Sequence, residues 1–233
     1  MKTALKVIAV ISAALMLFGL LTIARNAIFN RTGWLYNEYL CDLENSVYKD
    51  YGISAEDASR VLIRMMYYST GRAGDLDETI VENGEEVPFF NERELSHMKD
   101  VRRLTKTVLW LGIISLGLGI AVPILLLCFK KRDAFRTFCA AFLIILGVLV
   151  VVMIALGIWA SVDFDSFWAA FHVVFLDLES STFDPAQSRM IRICPPELFA
   201  DFIGRFAVYS AVLVGIAAVA CAVYLVVTRK KHA

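Results

Sequence analysis

The chain has 233 residues, with 23 basic and 23 acidic side chains, a formal net charge of zero and 58% hydrophobic residues. Soluble domains average about 45–50% apolar residues, so a mean hydropathy of +0.64 excludes an ordinary water-soluble globule. The same values exclude an intrinsically disordered chain, which needs low hydrophobicity and high net charge. The neutral total gives no support for nucleic-acid binding. The composition therefore indicates a small polytopic membrane protein.

Four long segments contain no charged residue and no histidine, namely residues 7–24, 107–129, 137–162 and 206–228. They are 18, 23, 26 and 23 residues long, and a helix needs about 20 apolar residues to cross the hydrocarbon core of a bilayer. Because the backbone in lipid must be hydrogen-bonded within the segment, each is predicted to be helical. We therefore expect an all-α integral membrane protein with four transmembrane helices.

The first apolar segment also has to be distinguished from a signal peptide, which begins with a short basic end and an apolar run. Its 18 residues exceed the usual apolar region of a signal peptide. Arg25-Asn26 follows it in place of a small-x-small cleavage site. We expect the segment to be retained as a membrane anchor.

The distribution of lysine and arginine predicts the orientation of the chain. Three short segments, 1–6, 130–136 and 229–233, carry nine basic residues among eighteen, whereas the two long polar segments carry 22 of the 23 acidic residues. Since basic residues are enriched in cytoplasmic loops, both termini and the middle loop are predicted to be cytoplasmic. The resulting organisation is a cytoplasmic end with the first span (1–24), an extracytoplasmic cap (25–106), the second span (107–129), a cytoplasmic loop (130–136), the third span (137–162), an extracytoplasmic interfacial loop (163–205) and the fourth span with its tail (206–233).

The extracytoplasmic cap is predicted to be mostly helical. Ser54 begins a capping-box pattern, and apolar residues follow at helical spacing at Ala58, Leu62, Met65 and Met66. Asn91 and Glu94 form a second capping-box pattern, and no helix-breaking residue separates Glu92 from the second span, so one continuous helix is expected there. Asn83-Gly84 is typical of a hairpin turn. Its flanking strands would be short, so a small β-hairpin is left open without being required.

The second long polar segment begins with aromatic residues at spacings of three and four, which predicts a short helix with an aromatic stripe. These residues are Phe164, Phe167, Trp168, Phe171 and Phe175. The stripe is either an anchor at the headgroup boundary or the wall of a substrate pocket. The first interpretation is favoured, and Trp168 and Phe171 are the substrate-contact candidates under the second.

Histidines provide the candidate chemistry. His97 lies on the helix that precedes the second span, with Glu94 and Asp100 three residues away on either side, so that either carboxylate could orient its imidazole. His172 lies at the edge of the aromatic stripe. Each histidine could instead be a solvated or capping group, and Glu94 could be only a capping residue. The third histidine, His232, is expected to be a solvated residue of the cytoplasmic tail.

The run from Phe89 to Val101, Phe-Phe-Asn-Glu-Arg-Glu-Leu-Ser-His-Met-Lys-Asp-Val, resembles the F-x-x-R-E-x-x-H-M-x-D-V signature of the bacterial lipoprotein intramolecular transacylase family, Lit. Downstream, Phe171-His172, Phe183-Asp184-Pro185 and Pro196-Glu197 with Phe199 are similar to a second, looser motif of that family. The stretch 176–182 departs from the aromatic-rich sequence expected between the parts of this second motif.

The resemblance implies an acyltransferase in the bacterial cytoplasmic membrane that moves the sn-2 acyl chain of an S-diacylglyceryl-cysteine lipoprotein onto its own α-amino group. For this reaction we hypothesise that His97, oriented by Glu94 or Asp100, is the base that takes the ammonium proton, and that His172 protonates the leaving oxygen or supports the oxyanion. The two roles could be swapped, and Arg93 is expected to have a supporting role. The expected partners are a diacylated lipoprotein and membrane lipid. We expect no cofactor and no metal, and the oligomeric state is not indicated.

Two alternatives belong to other classes. One is a non-catalytic tetraspan scaffold or sensor that binds a partner through the cap. The other is a metal-dependent lipid hydrolase, in which His97, His172, Glu94 and Asp100 would form a mixed nitrogen and oxygen site. Oxyanion donors are not distinguished among the outer arginines Arg93, Arg189 and Arg192. Cys41 and Cys194 lie in the outer segments, and the sequence does not decide whether they form a disulfide.

Overall fold

The structure is a computed structural model that describes residues 2–35, 53–82, 84–176, 183–184, 186–194 and 196–229. Its helices and strands, in chain order, are α1 (Lys2–Asn30), α2 (Ala55–Thr70), β1 (Thr79–Glu82), β2 (Glu85–Pro88), α3 (Glu92–Cys128), α4 (Arg132–Val162), α5 (Phe164–Phe175), α6 (Arg189–Arg192) and α7 (Pro196–Arg229). Helices α1, α3, α4 and α7 are long and apolar enough to cross a membrane. The prediction of an all-α integral membrane protein with four such helices is confirmed.

The chain divides into two compact units. The first, called the span unit below, comprises residues 1–26, 108–163 and 205–233, and the second, called the cap unit, comprises residues 27–107 and 164–204. Helix α3 therefore contributes its charged first part, up to Thr107, to the cap unit and its apolar remainder to the span unit. The continuous helix predicted from Glu92 into the second span is confirmed.

Small residues allow close helix packing inside the span unit. A Cβ atom added to Gly119 of α3 would lie 2.5 Å from the backbone of Met16 on α1. At the same contact the Ser12 hydroxyl donates a hydrogen bond to the Gly119 carbonyl, 3.2 Å away. A hydrophobic cluster in this unit contains the buried residues Ala9, Ala13, Leu17, Leu126, Ala134, Phe138, Cys139, Ala141, Phe142, Val214 and Cys221. Close approach of this kind is typical of helix pairs in membranes, where water does not drive the helices together.

In the cap unit, α2 begins and ends at the residues that local chemistry favours. The Ser54 side chain accepts a hydrogen bond from the Asp57 amide at 3.0 Å, as the capping-box pattern predicts. Gly71 ends the helix in a left-handed conformation, with φ of +83°, that glycine adopts without strain. The predicted apolar face is confirmed, because Ala58, Leu62, Met65 and Met66 are all buried.

The hairpin that the sequence left open is formed. β1 and β2 pair antiparallel, with Ile80 opposite Val87, and Gly84 in the turn has a φ of +87°. Side chains alternate across the strand, so that Ile80 is 2% exposed in the core whereas its neighbour Val81 is 58% exposed. The hairpin thus contributes one face to the hydrophobic core of the cap unit and leaves the other open.

Helix α3 begins at a complete capping box. The Glu94 amide donates to the Asn91 side-chain oxygen at 2.9 Å, and the Asn91 amide donates to Glu94 Oε2 at 2.8 Å. Both predicted capping residues therefore have the expected partners. The reciprocal bonds fix the first turn of α3, and His97 lies on the next turn.

Candidate active site

Two buried imidazole rings lie side by side in the cap unit. His97 projects from the start of α3 and His172 from the last turn of α5, and each side chain is 7% exposed. Their ring centroids are 5.9 Å apart and the ring planes are inclined by 29°. These residues are 75 positions apart in the sequence, and the fold brings together the two histidines that the sequence analysis singled out.

The protonation pattern of His172 is determined by one hydrogen bond. Its Nδ1 lies 2.8 Å from the backbone carbonyl oxygen of Trp168, one turn earlier in α5. A carbonyl oxygen only accepts hydrogen bonds, so Nδ1 must carry the proton. The nitrogen that remains for chemistry is therefore Nε2, which accepts a proton when the ring is neutral and donates one when the ring is charged.

His97 lies in a different environment. Its Nδ1 atom is buried and has no hydrogen-bond partner among the described residues. Burial, together with the charge on His172, lowers the pKa of His97 to about 4, against a weaker opposing effect of Asp100. Desolvation disfavours the charged form of an imidazole. His97 is therefore neutral at physiological pH, and its buried Nδ1 has no hydrogen-bond partner among the described residues.

The Glu94 side chain accepts hydrogen bonds from donors in two separate parts of the chain. Its side chain is 1% exposed. Besides the capping bond from Asn91, Oε1 accepts from the Ser188 hydroxyl at 2.5 Å and from the Met190 amide at 3.0 Å. The carboxylate thus joins the first turn of α3 to a segment more than ninety residues downstream.

Aromatic rings surround the histidine pair. Phe183 meets His97 edge to face at a centroid distance of 5.2 Å, and the Arg93 guanidinium lies over the same Phe183 ring at 5.3 Å. On the other side, the rings of Trp168 and Phe171 contact His172 at 4.7 and 5.7 Å. Aromatic rings therefore pack against each imidazole and contribute to its low exposure.

Comparison with known proteins identifies the family. The family model described as lipoprotein intramolecular transacylase Lit matches residues 9–199. The chain belongs to this Lit family. Among proteins with curated descriptions, no sequence matches the chain.

Solved structures of the membrane integral lipoprotein intramolecular transacylase Lit from Bacillus cereus share the fold. One is 17% identical, covers 100% of this chain and 99% of its own, and has a TM-score of 0.69. A variant with one histidine replaced by alanine is 15% identical over 99% and 96% of the two chains, with a TM-score of 0.67. A variant with that histidine replaced by arginine is 16% identical over 100% and 94%, with a TM-score of 0.63.

Some of the residues assigned from the sequence contact the histidine pair directly, and others do not. His97 and His172 are adjacent, Trp168 and Phe171 contact His172, and Arg93 reaches the site through Phe183. Asp100 acts on His97 through its charge. Glu94 instead uses its two oxygens on Asn91, Ser188 and Met190.

Other candidates from the sequence have structural partners. Arg189 pairs with Glu82 and donates to the Pro88 carbonyl, and Arg192 donates to the Ala186 carbonyl at 2.7 Å. Within the described ranges, no group of three or more His, Cys, Asp or Glu side chains is arranged to hold a metal ion. The four-residue metal site considered from the sequence is therefore not assembled.

Cys194, in the second outer segment, is a poor nucleophile. Burial, with a contribution from the charge of Glu94, raises the pKa of the Cys194 thiol to about 12, so this thiol remains protonated and unreactive. Cys41 lies outside the described residues, and so does its pairing with Cys194.

Sequence reasoning missed Ser188 and Met190 as partners of Glu94. The contact joins residues more than ninety positions apart and uses a backbone amide as one donor. Neither feature leaves a local pattern in the sequence. The only available signal was the capping-box position of Glu94, which indicated its helix-side contact alone.

Proposed function

We propose that this Lit-family chain moves the sn-2 acyl chain of an S-diacylglyceryl-cysteine lipoprotein onto the α-amino group of the same cysteine. The supporting observation is the pair of buried imidazoles at 5.9 Å with unlike environments. Hydrogen bonds span about 2.7–3.2 Å between heavy atoms, so the two rings can each bond a different polar atom of one headgroup. The α-amino nitrogen and the sn-2 ester oxygen of a folded headgroup are two such atoms.

His97 is the proposed base. Its pKa of about 4 keeps it neutral, whereas a free α-ammonium has a pKa of about 7.7–8.0. Proton transfer between groups so mismatched is uphill in water. An ammonium that enters the same apolar surroundings also loses solvation, which lowers its own pKa and brings the two groups closer. The resulting free amine attacks the ester carbonyl, and the second proton on its nitrogen passes to Nε2 of His172 as the C–O bond of the ester breaks and the amide forms.

His172 is the proposed acid. Its Nδ1–H is held by the Trp168 carbonyl, so Nε2 is the nitrogen that receives the proton of the adduct and passes it to the departing sn-2 oxygen. A charge on His172 lowers the pKa of His97, which favours His97 in its neutral form, the form that accepts a proton.

The enzyme needs no acyl group of its own in this scheme. The nucleophile and the ester belong to one substrate, and orientation of two reacting groups can lower a barrier by about 7–11 kcal/mol. Trp168 and Phe171 are proposed to position the apolar part of the headgroup beside His172. Arg93, on the other side of Phe183, is a candidate for binding the developing oxyanion.

The distribution of basic residues supports a location for this chemistry. Lysine and arginine are concentrated in 1–6, 130–136 and 229–233, which favours cytoplasmic termini. Both site histidines lie in the long polar segments of the sequence. We place the site at the extracytoplasmic face of a bacterial cytoplasmic membrane, where it would meet a lipoprotein still anchored in the outer leaflet.

The test is mass spectrometry of a synthetic diacylglyceryl-cysteine lipopeptide before and after incubation with the purified protein in lipid nanodiscs. We expect an acyl chain to move from ester to amide. His97→Ala and His172→Ala should each lower the rate about 10²–10⁴-fold, whereas His232→Ala in the tail should leave it unchanged. All three variants should still insert into membranes.

Other outcomes of the same assay would overturn the proposal. Release of free fatty acid with loss of activity in EDTA would indicate a metal-dependent hydrolase. Unchanged lipid with retained lipopeptide binding would indicate a scaffold. A stable acylated form of the protein, detected by intact mass, would exclude direct transfer between the two groups of the substrate.

A further inference from the structure

A downstream segment forms one wall of the His97 site. This wall segment comprises the described residues 183–184 and 186–194. It carries Phe183, whose ring meets His97 at 5.2 Å. The Ser188 amide donates to the Asp184 carbonyl at 2.9 Å, so the Phe183 end of the segment is tied to the part that contacts Glu94.

Glu94 attaches this wall segment to α3. Its Oε1 accepts from the Ser188 hydroxyl and the Met190 amide, while Oε2 accepts from the Asn91 amide. Hydrogen bonds to a charged acceptor are about twice as strong as those between neutral groups. Since the side chain is 1% exposed, water does not compete for these bonds. His97 is three residues further along the same helix.

Three elements lie around His97, and the charged and titratable groups that act on it come from the helices α3 and α5. Asp100 on α3 and His172 on α5 act on it through their charges. From the wall segment it meets the uncharged Phe183 ring, over which Arg93 of α3 is placed. Glu94 is hydrogen-bonded to the wall segment through Ser188 and Met190. Displacement of the wall would therefore expose His97 to water and change its surroundings more than it would change any one ion pair.

We propose that Glu94 is a positioning residue, which holds the wall segment against His97 and thereby keeps water away from the imidazole. The effect on catalysis rests on the proposed role of His97 as the base. The attachment itself does not depend on that role, so it can be measured without activity.

Glu94→Gln is the informative variant because glutamine keeps the shape and changes the acceptors. Its amide has one oxygen and one NH₂ group. Either orientation turns the NH₂ group toward a backbone amide, of Asn91 or of Met190, neither of which can accept. Ser188→Ala removes one donor from the same carboxylate. Asn91→Ala is the matched control, since it removes the cap oxygen from the Glu94 amide and leaves the bonds to the wall segment intact.

The first measurement is the rate at which diethyl pyrocarbonate modifies His97 in the full-length protein in nanodiscs, read by peptide mass spectrometry. The second is the pH dependence of acyl transfer. Glu94→Gln and Ser188→Ala should raise the modification rate several-fold. They should also move the acid limb of the activity profile toward higher pH by about one unit, because rehydration restores part of the basicity that burial removes. Asn91→Ala should lower thermal stability and change neither readout.

Each contrary outcome is distinct. Unchanged His97 modification in Glu94→Gln and Ser188→Ala, with lowered stability, would overturn the positioning role and leave Glu94 a helix cap. Equal effects of Asn91→Ala would also overturn it, since general loosening would then be the cause. The two proposals can also fail separately. If His97 is modified faster in the variants but the wild-type protein transfers no acyl chain, the attachment is supported and the proposed function is refuted.

Discussion

The neutral state of His97 makes this fold sensitive to acid. An imidazole in the unfolded chain has a pKa near 6.5, whereas burial and the charge on His172 lower the pKa of His97 to about 4 in the folded protein. Between these two values the unfolded chain binds a proton that the folded protein does not. Titration of His97 therefore does not reduce the free energy of unfolding above pH 6.5, and it reduces it progressively as the pH drops from 6.5 to 4. His97→Gln removes the titration and should remove this part of the acid sensitivity.

The size of the effect follows from the separation of the two pKa values. One unit corresponds to about 1.4 kcal/mol, so the full separation corresponds to about 3 kcal/mol below pH 4. At pH 4.5 most of this loss, about 2–3 kcal/mol, has already occurred. For a chain of this length 1 kcal/mol shifts the melting temperature by about 2–4 °C. The contribution of His97 to the difference in melting temperature between pH 7.5 and pH 4.5 is then roughly 5–10 °C.

Thermal unfolding at the two pH values, followed by tryptophan fluorescence in one detergent, measures this contribution. Comparison of each protein with itself cancels the effect of the substitution on packing. His172→Gln should be partly protected, because loss of its charge raises the pKa of His97. His232→Gln should behave as wild type. If His97→Gln loses as many degrees as wild type on acidification, the buried neutral imidazole assigned here is wrong.

Two further predictions concern packing. Gly119→Ala should destabilise the span unit by about 1–3 kcal/mol, because its Cβ would meet the Met16 backbone at 2.5 Å; thermal unfolding should show no such loss for Gly117→Ala, where nothing lies within 4 Å. Ile80→Ala should cost about 2–5 kcal/mol of cap stability, whereas Val81→Ala on the exposed face should cost under 0.5 kcal/mol. Protease susceptibility of the hairpin would report the difference, and equal effects would refute the strand register.

Elements whose signals are local could be predicted from the sequence. Uncharged segments of about 20 residues indicated the four long helices. The capping residues Ser54 and Asn91 indicated where α2 and α3 begin, and both make the expected bonds. The sequence did not decide whether the hairpin forms, because strands of four residues show too few alternations of apolar and polar residues. What decides it is the burial of Ile80 against the rest of the cap core, which is a tertiary property.

The site was predictable only in part, for the same reason. Motif resemblance indicated His97 and His172, and the fold places them together. Their different chemistry could not be read from spacing. It depends on the Trp168 carbonyl beside one ring and on the wall formed by Phe183 beside the other. Sequence proximity suggested that Glu94 orients His97, whereas Glu94 Oε1 accepts hydrogen bonds from Ser188 and Met190, more than ninety residues downstream.

Burial of His97 lowers its basicity, which raises the barrier to proton removal. Another effect of the proposed site must therefore lower the barrier by more than this amount. A lowered pKa weakens the base by about 3 kcal/mol. Orientation of the amine toward the ester can contribute about 7–11 kcal/mol, which exceeds that loss. Exclusion of water has a second consequence, since a hydrated base beside an ester would activate water and release fatty acid. A dry and weaker base therefore favours transfer to the amine over hydrolysis, and a variant that admits water should show the opposite balance of products.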